Sequence, residues 1–520
     1  MLTYCGRMRQ LLVVGLAGVL CACGAAAPGE PAAQAVTASE PAPTAAGTPS
    51  LNVVPSKYRA NQLLMPGVYT LNPSEAVSVV RATRPGGLIL MAPGTAAQWR
   101  AIVKAAQAEA KRLGLPPLLI GADQENGTLV RRMKMPVTLP GAMVLGAAVA
   151  GDVERGKDAA SNIADLTGRW LASGGVNIDF APVADVNVEP RNPVIGIRSP
   201  GAFPQVVSDA VVGQVAGFDR SGVLSTAKHF PGHGDTATDS HLGLAKVTHT
   251  REQMNRIDLP PFEAAVAAGI PAIMVAHVTV PAYDTLPATV SKKIVTGILR
   301  DRMGYDGLVV SDSLGMGAVA SRPKLAAEVI GAGVDVLLMP NDPSAAAAQV
   351  RNAVEDKGLP QGRVDEAVLH VLQAKQRLGL LDAPVAYPAS PRKAESRRIA
   401  RATASAGITV LGTCRDLVSS GATVVGVGPA ADGVRQGLKA AGVGPGSVRV
   451  VVQAGSPGSG DVWVATGSPY AALSSGVRQR VLTYGDVQAS GWAAGQAIAG
   501  KLDVLGGLPV KGPKPCASVG

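Results

Sequence analysis

Eight short apolar segments recur along the first two thirds of the chain, at 62–65, 87–91, 118–122, 178–182, 223–227, 272–276, 307–310 and 334–339. Each has the length of a strand. Each is apolar throughout rather than alternating, which is the pattern of parallel strands covered on both faces. Helical patterns lie between several of them. Thr95 is placed to cap a helix that buries Trp99, Ile102, Val103 and Ala106 and stops at Gly114. A second runs from about Arg363 to Leu378, with Val364, Val368, Val371 and Leu372 on one face. Strands alternating with helices in this way predict an α/β fold, a (β/α)8 TIM-type barrel over residues 57–385.

Barrels of this kind place their chemistry at the carboxyl ends of the strands. Here five successive ends are polar. Segment 118–122 runs into Asp123-Gln124-Glu125, and 178–182 leads to Asp185 and then Arg198. Segment 223–227 meets Lys228-His229, 272–276 meets His277, and 307–310 meets Ser311-Asp312. All five face one mouth. The densest stretch is 228–241, which holds His229, His233 and His241, half of the chain's 6 histidines, together with Asp235 and Asp239. Its glycines and proline bend it into a loop.

The flanks add a second domain and an export signal. From residue 400 to 520, apolar strands at 408–411, 423–427, 448–452 and 462–466 separate Gly- and Ala-rich segments, predicting a small three-layer α/β sandwich domain after a proline-containing linker near 382–392. At the other end, Arg7 and Arg9 precede an apolar run over 11–20 that is too short to span a bilayer. It ends in Leu20-Cys21-Ala22-Cys23, which resembles a bacterial lipobox. Residues 1–22 read as a lipoprotein signal, Cys23 as the lipidated residue anchoring the protein to the outer face of the membrane, and 23–56 as an Ala/Pro-rich tether. Cleavage near Ala22 or Ala25 without a lipid is the alternative. Cys414 and Cys516 could pair in an exported chain or stay as thiols. Lys and Arg number 48 against 38 Asp and Glu, but they are scattered and lack interleaved aromatics, so no nucleic-acid partner is expected.

Two carboxylates and an imidazole over a barrel mouth suit the cleavage of a glycosidic bond, which needs an acid for the leaving oxygen and a nucleophile or base. Asp312, rigid at a strand end, fits the nucleophile. His241 titrates near neutral pH and fits the acid, with Asp239 to orient it. Lys228, His229, Arg131 and Arg198 would be donors to sugar hydroxyls or an amide carbonyl. Structural roles compete with each of these: Asp312 as a helix cap, Asp239 and His241 as loop braces, Lys228 as an ion-pair partner. Arg132 reads as a surface charge, and His249 and His370 as structural. The His/Asp spacing matches no zinc signature, so no metal is expected.

These residues carry a resemblance. Lys-His-Phe-Pro-Gly-His-Gly from Lys228, followed after four residues by Asp239-Ser240-His241, resembles the signature of the β-N-acetylglucosaminidase branch of glycoside hydrolase family 3. Asp123-Gln124-Glu125-Asn126-Gly127, Phe180 to Asn187, Ile195 to Ser199 and Ser311-Asp312-Ser313-Leu314-Gly315-Met316 resemble further family motifs in the same order. The resemblance implies Asp312 as nucleophile, His241 as acid/base supported by Asp239, and sugar-binding roles for Asp123, Arg131, Arg198, Lys228 and His229. It implies a retaining exo-glycosidase acting on terminal non-reducing β-linked N-acetylglucosamine of peptidoglycan-type glycans, with no metal or organic cofactor. The sequence departs from the family pattern at Asn126 for glycine, Thr128 for arginine and Ser313 for aspartate. Because a neutral imidazole repels an incoming anion less than a carboxylate does, a phosphorylase is an alternative. A non-catalytic sugar-binding lipoprotein is another.

Overall fold

The structure is a computed structural model that describes residues 49–238, 243–414, 417–455, 459–503 and 505–517. The expected signal, Cys23 and most of the tether therefore lie outside the described residues. The end of the expected tether belongs to the folded unit instead. Residues Leu51–Val53 form a 3-10 turn, and Val54 is buried in the barrel core because its isopropyl group packs there with Ala60 and Leu63. Among the described residues no helix is long and apolar enough to cross a membrane.

The eight expected strands form. They are β1 (Leu64–Met65 and Gly67–Val68, interrupted at Pro66), β2 (Gly87–Leu90), β3 (Leu119–Ala122), β4 (Ile178–Asp179), β5 (Leu224–Phe230), β6 (Ala272–Val275), β7 (Leu308–Ser311) and β8 (Leu337–Leu338). They pair in parallel in chain order. The Val310–Val336 bridge joins the seventh strand to the eighth, and Leu64 and Met65 pair with Leu337 and Leu338. The sheet thus closes on itself as a (β/α)8 barrel. Pro66 carries no N–H, and its carbonyl accepts Ile89 N–H at 3.0 Å, so the ladder to β2 continues through the break.

The helices form where the sequence places their ends. Thr95 caps Ala96–Arg112 with a capping box shared with Gln98, and Trp99, Ile102, Val103 and Ala106 are buried. The helix Gln361–Arg377 buries Val364, Val368, Val371 and Leu372 as its pattern requires.

After the helix Lys393–Gly407 the chain forms a second sheet: β9 (Thr409–Leu411), β10 (Ala422–Val425), β11 (Val448–Gln453), β12 (Val462–Ala465) and β13 (Arg480–Leu482). Its order is β9-β13-β12-β11-β10, with β9 antiparallel to β13 and the other pairs parallel. Helices Pro429–Ala440 and Gln488–Ile498 contribute to the core of this sheet. Barrel and second sheet share cores: Leu145, Val149 and Ile163 cluster with Ile408 and Val410, and Met143 and Val144 with Trp463 and Leu482. Cys414 and Cys516 are disulfide-bonded, Cα to Cα 5.6 Å, and tie the start of this domain to its end.

At the amino-terminal end of the barrel, Lys375 is fully buried. Its Nζ donates to Gln62 Oε1 at 3.2 Å. Burial pushes its pKa down to about 7. The unfolded chain therefore holds one more proton than the folded one between pH 7 and the ordinary lysine value, and stability rises with pH across that window. Lys375→Met should melt above the wild type at pH 6, by an amount worth a few kcal/mol. The gap should narrow as pH rises toward 10, as read by thermal denaturation at a series of pH values.

Candidate active site

The mouth of the barrel is built on a buried lattice of charges. Lys228, at the end of β5, is 2 % exposed. Its Nζ reaches Glu125 Oε1 at 2.8 Å and Asp123 Oδ1 at 3.0 Å. Arg198 grips the same Glu125 with both arms of its fork: Nε to Oε2 at 2.8 Å and Nη2 to Oε1 at 2.7 Å. Its remaining arm donates to Val194 O at 2.9 Å. Burial alone would raise the Glu125 pKa, but the two cations hold it far below the carboxylate range, and the same contacts hold Lys228 above the usual lysine value. Three long side chains are thereby locked in one geometry.

Asp185, after β4, organises the next group. Its Oδ2 accepts from His229 Nδ1 at 2.7 Å, and its Oδ1 accepts the backbone N–H groups of His229 (3.2 Å) and His233 (2.7 Å). This leaves His229 Nε2 turned to the Arg198 side, 3.5 Å from Nη2. The His233 ring bonds Thr236 Oγ1 through Nδ1 at 2.7 Å, and burial lowers its pKa. Gly234 lies so close to the Val186 carbonyl that a Cβ would collide with it, so the loop after β5 rests directly on the loop after β4. The Lys228–His229 and Phe230–Pro231 peptide bonds are cis.

Asp312 follows β7. Its N–H donates to Val275 O at 2.9 Å, and its Oδ1 accepts Ser313 N–H at 2.7 Å, which fixes the carboxyl rotation. Burial opposes ionisation here, yet His277, His229, the Ser313 amide and Lys228 together hold the pKa below the ordinary aspartate value. Burial in turn lowers the pKa of His277. Its ring is anchored by Thr289 Oγ1 (2.7 Å) and Ser313 O (2.9 Å), which supports the loop after β7. The result is an ionised, oriented carboxylate at neutral pH.

Asp123, Arg198, Lys228, His229, His233 and Asp312 line one pocket of about 320 Å3, closed on its apolar sides by Met91, Met274 and Met316. Of the residues expected at the site, the structure brings these together except Arg131. Arg131 is exposed, donates to Thr138 Oγ1 at 2.8 Å and lines a separate cleft with Gln124 and Asn126. Its neighbour Arg132, expected as a surface charge, lines the pocket instead, with a buried Nε that has no protein partner. The reason is alternation along the hairpin of Gln124–Asn126 and Val130–Arg131, where successive side chains point to opposite faces. Asp239 and His241 lie outside the described residues. Among the described residues on either side, Asp235 Oδ2 accepts Thr248 N–H (2.9 Å) and Oγ1–H (2.8 Å), and His249 Nδ1 meets Asp258 Oδ2 at 2.6 Å.

This barrel is shared with known proteins. The family model described as Glycosyl hydrolase family 3 N terminal domain matches residues 57–374. The chain belongs to glycosyl hydrolase family 3. Relatives of this family-3 chain include Beta-hexosaminidase A of Pseudoalteromonas piscicida, 35% identical over 370 residues, or 65% of this chain and 61% of that one. The chain thus spans less than two thirds of that relative. Beta-hexosaminidase of Alkalilimnicola ehrlichii is 36% identical over 284 residues, covering 54% of this chain and 80% of that one. Among solved structures, a glycoside hydrolase family 3 beta-N-acetylglucosaminidase from Paenibacillus sp. str. FPU-7 superposes with a TM-score of 0.77 at 30% identity, over 88% of this chain and 98% of that one.

Three residues at the barrel mouth were not singled out from the sequence as functional: Glu125, Asp185 and Arg132. The first two stand inside motifs at strand ends, and that position was the available signal. The departure at Asn126 has a backbone reason. Asn126 has φ of 66°, a left-handed conformation that asparagine tolerates better than most side chains, and its Nδ2 donates to Thr167 Oγ1 at 2.9 Å. If Glu125 is the keystone of the lattice, Glu125→Ala strands Arg198 and Lys228 around an empty counter-charge. It should lower stability by about 3–5 kcal/mol in denaturant unfolding, while Glu125→Leu combined with Arg198→Met should recover part of the loss.

Proposed function

We propose that this family-3 chain is a retaining exo-acting β-N-acetylhexosaminidase that removes terminal non-reducing β-linked N-acetylglucosamine. The observation that carries the reading is Asp312, a buried carboxylate whose pKa is held below the ordinary aspartate value by His277, His229, the Ser313 amide and Lys228, inside a pocket lined with donors. The names of the relatives and of the Paenibacillus structure support the sugar. In this mechanism Arg198, Lys228, His229 and Arg132 hold the sugar ring. An Asp312 oxygen attacks the anomeric carbon as the glycosidic C–O bond breaks, and His241, supported by Asp239, gives its proton to the leaving oxygen. Water then attacks the glycosyl–Asp312 ester, His241 takes the proton, and the carboxylate is released.

The lipobox-like Leu20 to Cys23 supports a location at the outer face of the membrane, where peptidoglycan-type glycans would supply the sugar. The Cys414–Cys516 disulfide supports an oxidising compartment of that kind. Purified protein should release N-acetylglucosamine from its aryl β-glycoside and leave the aryl glucoside intact. Asp312→Ala should lose about 10³-fold or more of the kcat on the first substrate, the scale of losing a covalent nucleophile. Added inorganic phosphate should leave free sugar as the product. Sugar 1-phosphate in its place would point to a phosphorylase, and binding of the sugar without turnover to a non-catalytic lipoprotein.

A further inference from the structure

A second cleft, of about 730 Å3, opens beside the catalytic pocket between the first and eighth βα units. The two share Ser313, Met316 and Met339 as a common wall, so the cleft begins within a side chain's width of Asp312. Nothing in the proposed chemistry uses it. Across from the shared wall stands Tyr69, 59 % exposed in a chain where aromatic residues make up 3 % of the sequence.

Tyr69 is held where it is. Glu75 accepts the N–H of Tyr69 at 2.9 Å through Oε1 and the N–H of Thr70 at 2.7 Å through Oε2. The ring end lies over Gly67, where a Cβ would come to 2.7 Å of Tyr69 Cζ, so glycine at the end of β1 makes the seat for the ring. Exposing a rigid aromatic beside a sugar pocket costs hydrophobic burial, and a flat apolar surface with a polar tip is what a pyranose ring stacks on. Among the described residues Glu75 is the one charged residue lining the cleft, and both its oxygens accept backbone N–H groups. Recognition in this cleft therefore runs through shape and stacking, not through an ion pair.

We propose that this cleft is the subsite for the leaving group, and that it takes the second pyranose ring of a β-linked disaccharide or longer glycan against Tyr69. Asn341, beside Gly315, is placed to contact the ring hydroxyls. The proposal rests on the glycosidase reading above and adds the part of the substrate that the catalytic pocket does not touch.

The test compares two substrates on wild type, Tyr69→Ala and Tyr69→Phe. N,N′-diacetylchitobiose fills the cleft, whereas N-acetyl-β-glucosaminyl fluoride has a leaving group too small to reach it. Tyr69→Ala should lower kcat/KM for the disaccharide roughly five- to tenfold, mostly through KM, the scale of one lost aromatic contact. Its turnover of the fluoride should stay within about twofold of the wild type, and Tyr69→Phe should match the wild type on both. Equal losses on the two substrates, or no loss on the disaccharide, would overturn the subsite while leaving the glycosidase reading in place. A wild type inert toward both substrates would overturn that reading itself.

Discussion

Glu125 sits where the two fixed cations of the barrel mouth meet. Burying three charges this deeply is costly unless their geometry leaves few lone pairs unmet. Here the Arg198 fork takes both Glu125 oxygens, and Lys228 shares one of them with Arg198 while also reaching the Asp123 carboxylate. The arrangement joins the ends of three different strands. It also leaves Arg198 and Lys228 without freedom to reorganise when a sugar enters, so donors aimed at the pocket are in place beforehand. Asp312 draws on the same lattice, because Lys228 is one of the groups that keep it ionised.

The second domain is more than an appendage to the barrel. Ala202 N–H donates to Pro509 O at 2.9 Å, and Gly507 N–H donates to Ala147 O at 2.8 Å. Tyr470 Oη donates to Asn187 O at the 3.5 Å limit of a hydrogen bond. Residues 187 to 202 bracket Arg198, so the domain buttresses the loop that delivers the guanidinium. Gly485 of the second domain also approaches Thr128, the position where the family pattern has an arginine. Among the described residues the domain touches the backbone of these loops and does not line the pocket of Asp312.

The barrel was legible because parallel strands covered on both faces read as unbroken apolar runs, and all eight of those runs became strands. Thr95 and Gly114 bounded their helix for equally local reasons. What escaped was short or depended on register. Arg480–Leu482 pairs between β12 and β9, but three residues beginning with arginine carry no periodic signal. Arg131 and Arg132 exchange places because one step along a hairpin reverses the side chain, and the register of that hairpin is shifted between Gln124 and Asn126. Glu125 and Asp185 were visible as polar strand ends. Their partners come from positions 73 and 44 residues further along the chain, a distance no local pattern spans.

The central claim is that Asp312, ionised and fixed beside this lattice, forms the bond to the anomeric carbon. A fluorinated N-acetylglucosaminyl fluoride that slows release of the sugar would capture that bond. After its addition to the wild type, peptide mass spectrometry should find one sugar added to the peptide containing Asp312 and to no other. A sugar on a different carboxylate, or full turnover of ordinary substrate with inversion at the anomeric carbon, would contradict the account.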